Sequence, residues 1–216
     1  VILEWEHLAH KGIYKLFLIL PYAVPAFISI LVFRGLFNQN FGEINLILGG
    51  LFGLEPDWFT NPTLTRTMLL LVNTWLGFPY WMLISAGFLQ SVPRDHFKAA
   101  ALENSGPIRN FFAITLPQIM PPMVPLLIAN FAFNFNNIVL VLLLTRGGPD
   151  IPGTIIPAGS TDLLGSFTFR IAFQNSGQDF GLAGAISTLI FIITGIIAYV
   201  NYRAMQKLAA KRSARS

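Results

Sequence analysis

The stretch QIMPPMVPLLIANFAFNFNNIVLVLLL, residues 118–144, decides what class of fold this chain can adopt. It carries no charged side chain, and it is longer than the roughly 20 mainly apolar residues that a helix needs to cross a bilayer. Polar side chains interrupt it at four asparagines: Asn130, Asn134, Asn136 and Asn137. Because a polar group inside a membrane must face protein or a water-filled cavity, these asparagines predict either helix contacts or a solute site.

The composition extends the membrane interpretation to the whole chain. Of the 216 residues 54% are hydrophobic and only 11% are charged, against about a quarter charged in soluble domains. Three further windows are long and apolar enough to span a bilayer: residues 12–37, 65–90 and 182–205. We therefore predict an all-α, polytopic membrane protein with about four transmembrane helices. Prolines inside the windows predict kinks or local unwinding: Pro21, Pro25, Pro79 and Pro125.

Residue types that the sequence lacks narrow its chemistry. There is no cysteine, which excludes disulfides, thiol catalysis and thiolate metal sites. No G-x-x-x-x-G-K-[ST] phosphate loop occurs, and the windows hold no carboxylate or histidine at mid-depth of the kind that relays protons. We expect a chain that is not an enzyme and that holds no metal or cofactor itself. Because it starts with Val1, we also expect it to be part of a longer protein.

The distribution of basic residues predicts the orientation in the membrane. Ten of the 14 Lys and Arg residues lie in the N-terminal flank, in residues 91–117 and in the C-terminal tail. Residues 38–64 and 145–181, with their borders, hold the other four basic residues and six of the ten acidic residues. The positive-inside rule therefore places both termini and residues 91–117 in the cytoplasm. The basic tail is better explained as a membrane anchor than as a nucleic-acid arm, so no nucleic-acid partner is expected.

Two polar stripes share the helical spacing i, i+4, i+7, which puts their members on one face of a helix. One stripe is Asn130, Asn134 and Asn137, with Phe133 beside it; the other is Asn73, Gly77 and Tyr80, with Leu76 beside it. Amides both donate and accept hydrogen bonds, and aromatic rings offer flat faces, so the pair suits an uncharged polar solute such as a sugar. The alternative is that the asparagines are hydrogen-bonding glue between helices.

Residues 91–117, SVPRDHFKAAALENSGPIRNFFAITLP, predict a helix, a turn at Gly106-Pro107 and a second short helix over residues 108–116. The second helix carries four large apolar residues: Phe111, Phe112, Ile114 and Leu116. Two interpretations are open on physical grounds. The segment presents an apolar ridge to a partner, or it is an ordinary connection at the membrane surface.

The stretch KAAALENSGPIRNFFAITLP resembles the EAA loop of permease subunits of ATP-binding-cassette importers, the segment that docks into the ATPase. ILPYAVPAFISIL, VNTWLGFPY, FAFNFNNIVL, LLTRGGPD and IPAGSTDLL are similar to the maltose permeases of that family, and the similarity covers essentially the whole chain. It implies one permease domain over residues 1–216, corresponding to the C-terminal half of such a subunit and incomplete at its N-terminus, with the coupling loop at residues 91–117. The implied activity is import of maltose, maltodextrin or a similar oligosaccharide by alternating access.

The resemblance also implies roles for individual residues. The sugar site would comprise Asn73, Leu76, Gly77, Tyr80, Asn130, Phe133, Asn134 and Asn137, with Asn130 where the maltose permeases have a serine. The ATPase-coupling residues would be Lys98, Ala99, Ala100, Glu103, Asn104, Gly106, Ile114, Leu116 and Pro117. Lys98 stands where the family has glutamate, and Asn104 where it has glycine. Either the ATPase carries a compensating acid, or Glu103 takes over the role, or coupling is weaker.

The implied assembly lies in the bacterial inner membrane. Its other members would be a second permease subunit, an ATPase dimer that binds ATP and Mg²⁺, and a periplasmic sugar-binding protein. Two rivals remain open at this point. In the first, the chain is a secondary carrier or passive channel for a neutral solute, and the polar stripes only hold helices together. In the second, the chain is an inert half-subunit.

Overall fold

The computed structural model describes residues 10–102, 105–154, 156, 158–174 and 178–213, except for the side chains of Arg94 and residues 208–213. In these residues every element is helical apart from one isolated β-bridge, which confirms the all-α prediction. The helices are α1 Lys11–Ala23, α2 Ala26–Leu36, α3 Glu43–Phe52, α4 Pro62–Gln90, α5 Arg94–Leu102, α6 Pro107–Asn110, α7 Leu116–Phe135, α8 Ile138–Leu144, α9 Leu164–Phe169 and α10 Phe180–Ser213. Two π-helical turns, Phe111–Thr115 and Arg170–Gln174, follow α6 and α9.

Three of the helical stretches are long and apolar enough to cross a membrane: Pro62–Gln90, Pro107–Phe135 and Phe180–Lys207. The pair α1 and α2 supplies a fourth span if it is counted as one broken helix, so the expected number of spans is confirmed. The break falls at Val24 and Pro25, because proline cannot donate to the preceding turn. Pro79, by contrast, lies inside α4 without interrupting it.

The third span differs from the predicted window at both ends. It begins at Pro107, because α6, the π-helical turn and α7 form one continuous stretch to Phe135. The second short helix predicted for the coupling loop is therefore the start of the span itself. Pro117 is the second residue of α7 and follows the π-helical turn by two residues. At the other end the helix stops at Phe135, and α8 is a separate element.

The described residues divide into two compact units. One comprises residues 20–77 and 133–195, apart from the residues named above as not described. Its hydrophobic core brings together α2, α4 and α8 with buried Ile30, Met68, Val72 and Leu144. Helix α3 packs on this core through half-buried Ile44 and Leu48 and through buried Asn45, whose Oδ1 accepts a 2.8 Å hydrogen bond from the indole of Trp58.

The other unit comprises residues 10–19, 78–132 and 196–213, again without residues 103–104. It contains α5, α6 and most of the third span. Asn201 on α10 donates a 3.3 Å hydrogen bond to the carbonyl oxygen of Pro125 on α7. An amide that bonds to a backbone carbonyl between two spans is the helix glue expected of polar groups in membrane helices.

Candidate functional site

The first polar stripe lies on one uninterrupted helix, as the sequence predicts. Asn73, Gly77 and Tyr80 are half-buried and lie near the middle of α4. A side chain at Gly77 would meet nothing within 4 Å, so the helix backbone is accessible from that side. Leu76 packs partly against the hydrophobic core of its unit.

The second stripe is interrupted. Asn130 and Asn134 are half-buried in the last turns of α7, and Phe133 exposes 67% of its surface. Asn137 lies beyond the end of α7, at the residue preceding α8, with backbone angles φ −80° and ψ 79°. The predicted i, i+4, i+7 stripe along a single helix is therefore wrong for Asn137. The window looked continuous because the residues after the break are all apolar, and apolarity does not reveal a break.

The predicted sugar residues are divided between the two units. Six of the eight belong to the unit built on α2, α4 and α8, whereas Tyr80 and Asn130 belong to the other unit. The assignment of these residues to a sugar site stays a prediction. Asn136, which received no role in the sugar site, donates a 3.3 Å hydrogen bond to the hydroxyl of Thr194 and thereby links the turn between α7 and α8 to α10.

The predicted coupling segment presents apolar side chains to its surroundings. Leu102, Ile108 and Phe112 expose 89%, 75% and 62% of their surfaces, and they constitute what we call the coupling ridge. Ile114 and Leu116, which the sequence placed on this ridge, are half-buried instead. Of the remaining coupling candidates, Ala99, Gly106 and Pro117 are exposed and Ala100 is buried. Glu103 and Asn104 lie outside the described residues.

Lys98 is not a solitary charge. Its ammonium group donates a 2.9 Å hydrogen bond to Asp95 one turn earlier on α5, and both side chains are largely exposed. An exposed pair of this kind contributes little to stability, about 0–1 kcal/mol. It does place a carboxylate directly beside Lys98.

The structure also contains a polar site that the sequence analysis missed, which we call the arginine clamp. Arg170 has a side chain that is only 9% exposed, and it donates hydrogen bonds of 2.6 Å to Asp162 and 2.7 Å to Asp150. Asp162 also accepts bonds from the Gly159 amide and the Ser166 hydroxyl, both within 2.9 Å. These contacts fasten residues 147–162 to the helix that begins at Leu164.

Close backbone contacts complete the clamp. A Cβ atom at Gly159 would overlap the carbonyl oxygen of Gly147, so only glycine fits there. Gly147 itself has a φ of 84°, which glycine adopts without strain. Burial by itself would lower the pKa of Arg170, but the hydrogen bond to Asp150 and the charges of Asp162 and Asp150 raise that pKa above its ordinary value. Arg170 is thus a permanent charge that both carboxylates neutralise.

A motif search would not find this clamp, because its members are scattered through a loop. The only hint in the sequence is that residues 145–181 hold both glycines and acids with two arginines. In the described part of the chain no group of three or more His, Cys, Asp or Glu residues is arranged to hold a metal ion.

In a comparison with known protein families, residues 9–212 match the family described as binding-protein-dependent transport system inner membrane component. The chain is 59% identical over 204 residues to the maltose/maltodextrin transport system permease protein MalF of Photorhabdus laumondii, covering 94% of this chain and 39% of that protein. Identity to MalF of Escherichia coli strain K12 is 58%, covering 94% and 40%. The chain therefore spans about two-fifths of the length of these curated relatives.

A solved structure supports the fold. A chain of a bacterial alginate ABC transporter, in complex with an alginate pentasaccharide-bound periplasmic protein, superimposes with a TM-score of 0.77 at 17% sequence identity. The superposition covers 96% of this chain and 69% of that chain. At this level of identity the likeness concerns the fold alone.

Proposed function

Because this chain belongs to the binding-protein-dependent transport system inner membrane component family, we propose that it acts as a permease subunit of an ATP-driven importer for maltose or maltodextrin. The observation that carries the proposal is the 58–59% identity, across 94% of the chain, to relatives named as maltose/maltodextrin permeases. Membership of this family disfavours the secondary carrier and the passive channel. The relatives are permease subunits, which fits a pore that performs no chemistry of its own.

The proposed sugar site consists of the two polar stripes. Amide groups of Asn73 and Asn134 would exchange hydrogen bonds with sugar hydroxyls, while the rings of Tyr80 and Phe133 would cover the apolar faces of the sugar. The open side of Gly77 supports this proposal, because it leaves space for a ligand against the helix. The break after Phe135 supports it further, since interrupted helices expose backbone groups that bind substrates in many transporters.

We propose that the coupling ridge receives the motion of a separate ATPase. Docking against an apolar cleft of a partner would bury its exposed leucine, isoleucine and phenylalanine. The proposed assembly contains a second permease subunit of the MalG type, an ATPase dimer of the MalK type that binds ATP and Mg²⁺, and a periplasmic sugar-binding protein. Closure of the ATPase dimer on ATP would move the ridge, and with it the continuous helix from Pro107 to Phe135, switching access to the site.

In this proposal Lys98 would meet the ATPase together with its neighbour Asp95. The carboxylate of Asp95 lies 2.9 Å from the Lys98 ammonium, so the surface that the ATPase would meet carries both signs of charge. Replacing Lys98 by Glu should strengthen sugar-stimulated ATP hydrolysis if the ATPase keeps a basic residue opposite. Weaker stimulation would indicate a compensating acid on the ATPase.

The proposed orientation places both termini of this chain and residues 91–117 on the cytoplasmic side of the inner membrane. The excess of Lys and Arg in these segments supports it through the positive-inside rule. Cysteines introduced at exposed Ser91 and Thr154 would report it, because a membrane-impermeant thiol reagent should label only Thr154→Cys in intact cells whose outer membrane has been made permeable.

The sugar site is tested by Asn134→Leu in the assembled importer. Uptake of labelled maltose should fall below detection, with membrane insertion and recovery of the complex unchanged. Asn136→Leu is the matched control, because Asn136 bonds to Thr194 and is not a member of the proposed site. Unchanged maltose uptake in Asn134→Leu would remove the site assignment.

Docking of the ATPase is tested by deleting Ala99–Leu102. The ATPase should no longer co-purify with the membrane subunits, since the deletion removes Leu102 of the coupling ridge together with the C-terminal end of α5. An ATPase that still co-purifies in equal amount after the deletion would show that this segment is not its docking site.

A further inference from the structure

Helix α10 changes from apolar to basic in its C-terminal part. Residues 180–202 carry no charged side chain, and Arg203 is the first charge after them. At about 1.5 Å per residue this uncharged part is roughly 35 Å long, slightly more than the ~30 Å hydrocarbon core of a bilayer. It ends at Tyr199 and Tyr202, and tyrosine is enriched at the depth where hydrocarbon meets headgroups. Arg203 and Lys207 therefore lie at the level of the headgroups.

One side of this part of α10 is turned towards protein. Ile197, Asn201 and Ala204 follow the spacing i, i+4, i+7, and all three are half-buried. The Asn201 side chain bonds to the carbonyl oxygen of Pro125 on α7. This bond fixes which face of α10 is turned towards α7 and, by exclusion, which face is turned away.

The opposite face combines apolar, aromatic and basic groups. Ile196, Tyr199, Arg203 and Lys207 follow the spacing i, i+3, i+7, i+11, which keeps them on one side of the helix, and all four are exposed. Tyr202, which is exposed too, lies beside them. An exposed isoleucine followed by tyrosine and then by cations matches the order of hydrocarbon, interface and headgroups in a lipid leaflet.

Two contacts hold the polar groups of this face in place. The guanidinium carbon of Arg203 lies 5.8 Å from the centre of the Tyr199 ring, so the cation sits over the ring. A guanidinium group carries five N–H donors, and the ring does not use them up. Gln206 donates a 2.7 Å hydrogen bond to the hydroxyl oxygen of Tyr202, which leaves the hydroxyl hydrogen for another acceptor. The face thus presents positioned donors to an oxyanion.

Helix α10 supplies no counter-charge of its own, because residues 180–213 contain neither aspartate nor glutamate. In the part of the chain that the structure describes, no carboxylate forms an ion pair with Arg203 or Lys207. From this depth and these contacts we infer a headgroup site that binds the phosphate of an anionic phospholipid, formed by Tyr199, Tyr202, Arg203 and Lys207.

Each member of the headgroup site has a distinct part in binding. The phosphate accepts N–H bonds from Arg203 and one bond from the Tyr202 hydroxyl, while Lys207 adds a second positive charge. Tyr199 positions the guanidinium group and does not itself bond to the phosphate. In the orientation proposed above, the site faces the inner leaflet.

The test uses the full chain, with any subunits that purify with it, in nanodiscs of phosphatidylcholine with and without phosphatidylglycerol. Phosphatidylglycerol retained after mild delipidation is counted by native mass spectrometry. Sugar and ATP are left out, so the result does not depend on the proposed transport function. Arg203→Gln combined with Lys207→Gln should weaken binding about tenfold to thirtyfold, because each basic residue near an anionic surface contributes about fivefold. Both side chains are exposed, so the midpoint of thermal unfolding should not change.

Two single variants separate a built site from overall charge. Lys98→Gln is the matched control for Arg203→Gln, since it removes one exposed cation of the same unit whose charge Asp95 already neutralises, and it should leave binding unchanged. Tyr199→Leu alters no charge but removes the ring beneath Arg203. It should weaken binding about twofold to fivefold, which is the contribution of a cation–π contact at an exposed site.

Equal phosphatidylglycerol retention in the double variant and the unchanged protein would overturn the inference. An equal loss in Lys98→Gln and Arg203→Gln would overturn it too, as would unchanged binding in Tyr199→Leu, because the lipid would then respond only to overall charge.

Inorganic phosphate distinguishes the two sources of the oxyanion. Phosphatidylglycerol that stays bound when phosphate is added supports the lipid headgroup, whereas its displacement would overturn the lipid assignment and make free phosphate the ligand. A double variant that keeps the lipid but loses a subunit would assign the two cations to an acidic protein surface instead.

Discussion

Residues 145–174 and residues 91–117 differ in which of their side chains are buried and which are exposed. In the arginine clamp the charged groups are satisfied internally, with Arg170 and Asp162 both more than nine-tenths buried. In the coupling segment the charged pair of Lys98 and Asp95 is exposed, and the large apolar side chains of Leu102, Ile108 and Phe112 are exposed as well. The first segment is thus stabilised by its own contacts, whereas the second has apolar surface that its own unit does not cover.

The two segments should therefore respond differently to mutation. Changes in the clamp should act on stability, because they leave buried charges or clashes inside the folded chain. Changes on the coupling ridge should leave the fold intact and act only on association with the proposed ATPase. Four substitutions, taken in order of their expected effect on the free energy of unfolding, test this contrast.

Arg170→Met should have the largest effect, a loss of about 3–5 kcal/mol, because Asp162 would stay buried without its cation. The midpoint of thermal unfolding of the purified protein in detergent measures it. Arg66→Met is the control, since it removes one hydrogen bond from an exposed side chain to a carbonyl oxygen and should cost about 0.5–1.5 kcal/mol. Equal losses in the two variants would mean that the clamp does not depend on Arg170.

Gly159→Ala should cost about 1–3 kcal/mol, because its methyl group would overlap the carbonyl oxygen of Gly147 and force the backbone apart. Gly184→Ala is the matched control on α10, where an added methyl group meets nothing within 4 Å and alanine favours the helix. The same unfolding measurement distinguishes them. A Gly159→Ala protein as stable as the control would show that the close approach of residues 147 and 159 is not required.

Asp150→Asn should lower stability by no more than about 1 kcal/mol, because its side chain is 62% exposed and water replaces the lost charge. Asp162→Asn, made for comparison, should cost more, since that side chain is only 6% exposed. Similar unfolding midpoints for the two variants would contradict the view that burial sets the strength of each half of the clamp.

Leu102→Ser should leave stability within about 0.5 kcal/mol of the unchanged protein, because 89% of the leucine is already exposed. The amount of ATPase that co-purifies should nevertheless fall, since an apolar contact is removed from the proposed docking surface. Phe41→Ser is the control: it removes an exposed apolar side chain of the other unit and should not release the ATPase. A large fall in stability of Leu102→Ser would break the contrast between the two segments.

The sequence predicted the helical elements better than the contacts between them. The spans on α4 and α10 lie within two to three residues of the predicted windows at most ends, because a run of about 20 apolar residues specifies a membrane helix by composition alone. The helix start at Gly106-Pro107 was also predicted correctly, since α6 begins at Pro107. The sequence analysis was wrong about one boundary, because the short helix predicted for residues 108–116 continues directly into the third span.

The polar stripes illustrate the same limit within one helix. The stripe of Asn73, Gly77 and Tyr80 lies on a continuous helix, so its spacing describes a real face. The stripe ending at Asn137 does not, because α7 ends at Phe135. Asparagine is compatible with both a helix interior and a helix end, and a single sequence does not distinguish the two.

By itself the sequence determined the class of protein, an all-helical membrane chain, and its number of spans. These features follow from composition and from periodicity within a few turns, which are local properties of the chain. Only the tertiary structure decided the arginine clamp and the hydrogen bond from Arg66 to Ser160. Arg170 reaches Asp150 across 20 residues and Arg66 reaches Ser160 across 94, and such partners are chosen by how helices pack rather than by any local pattern.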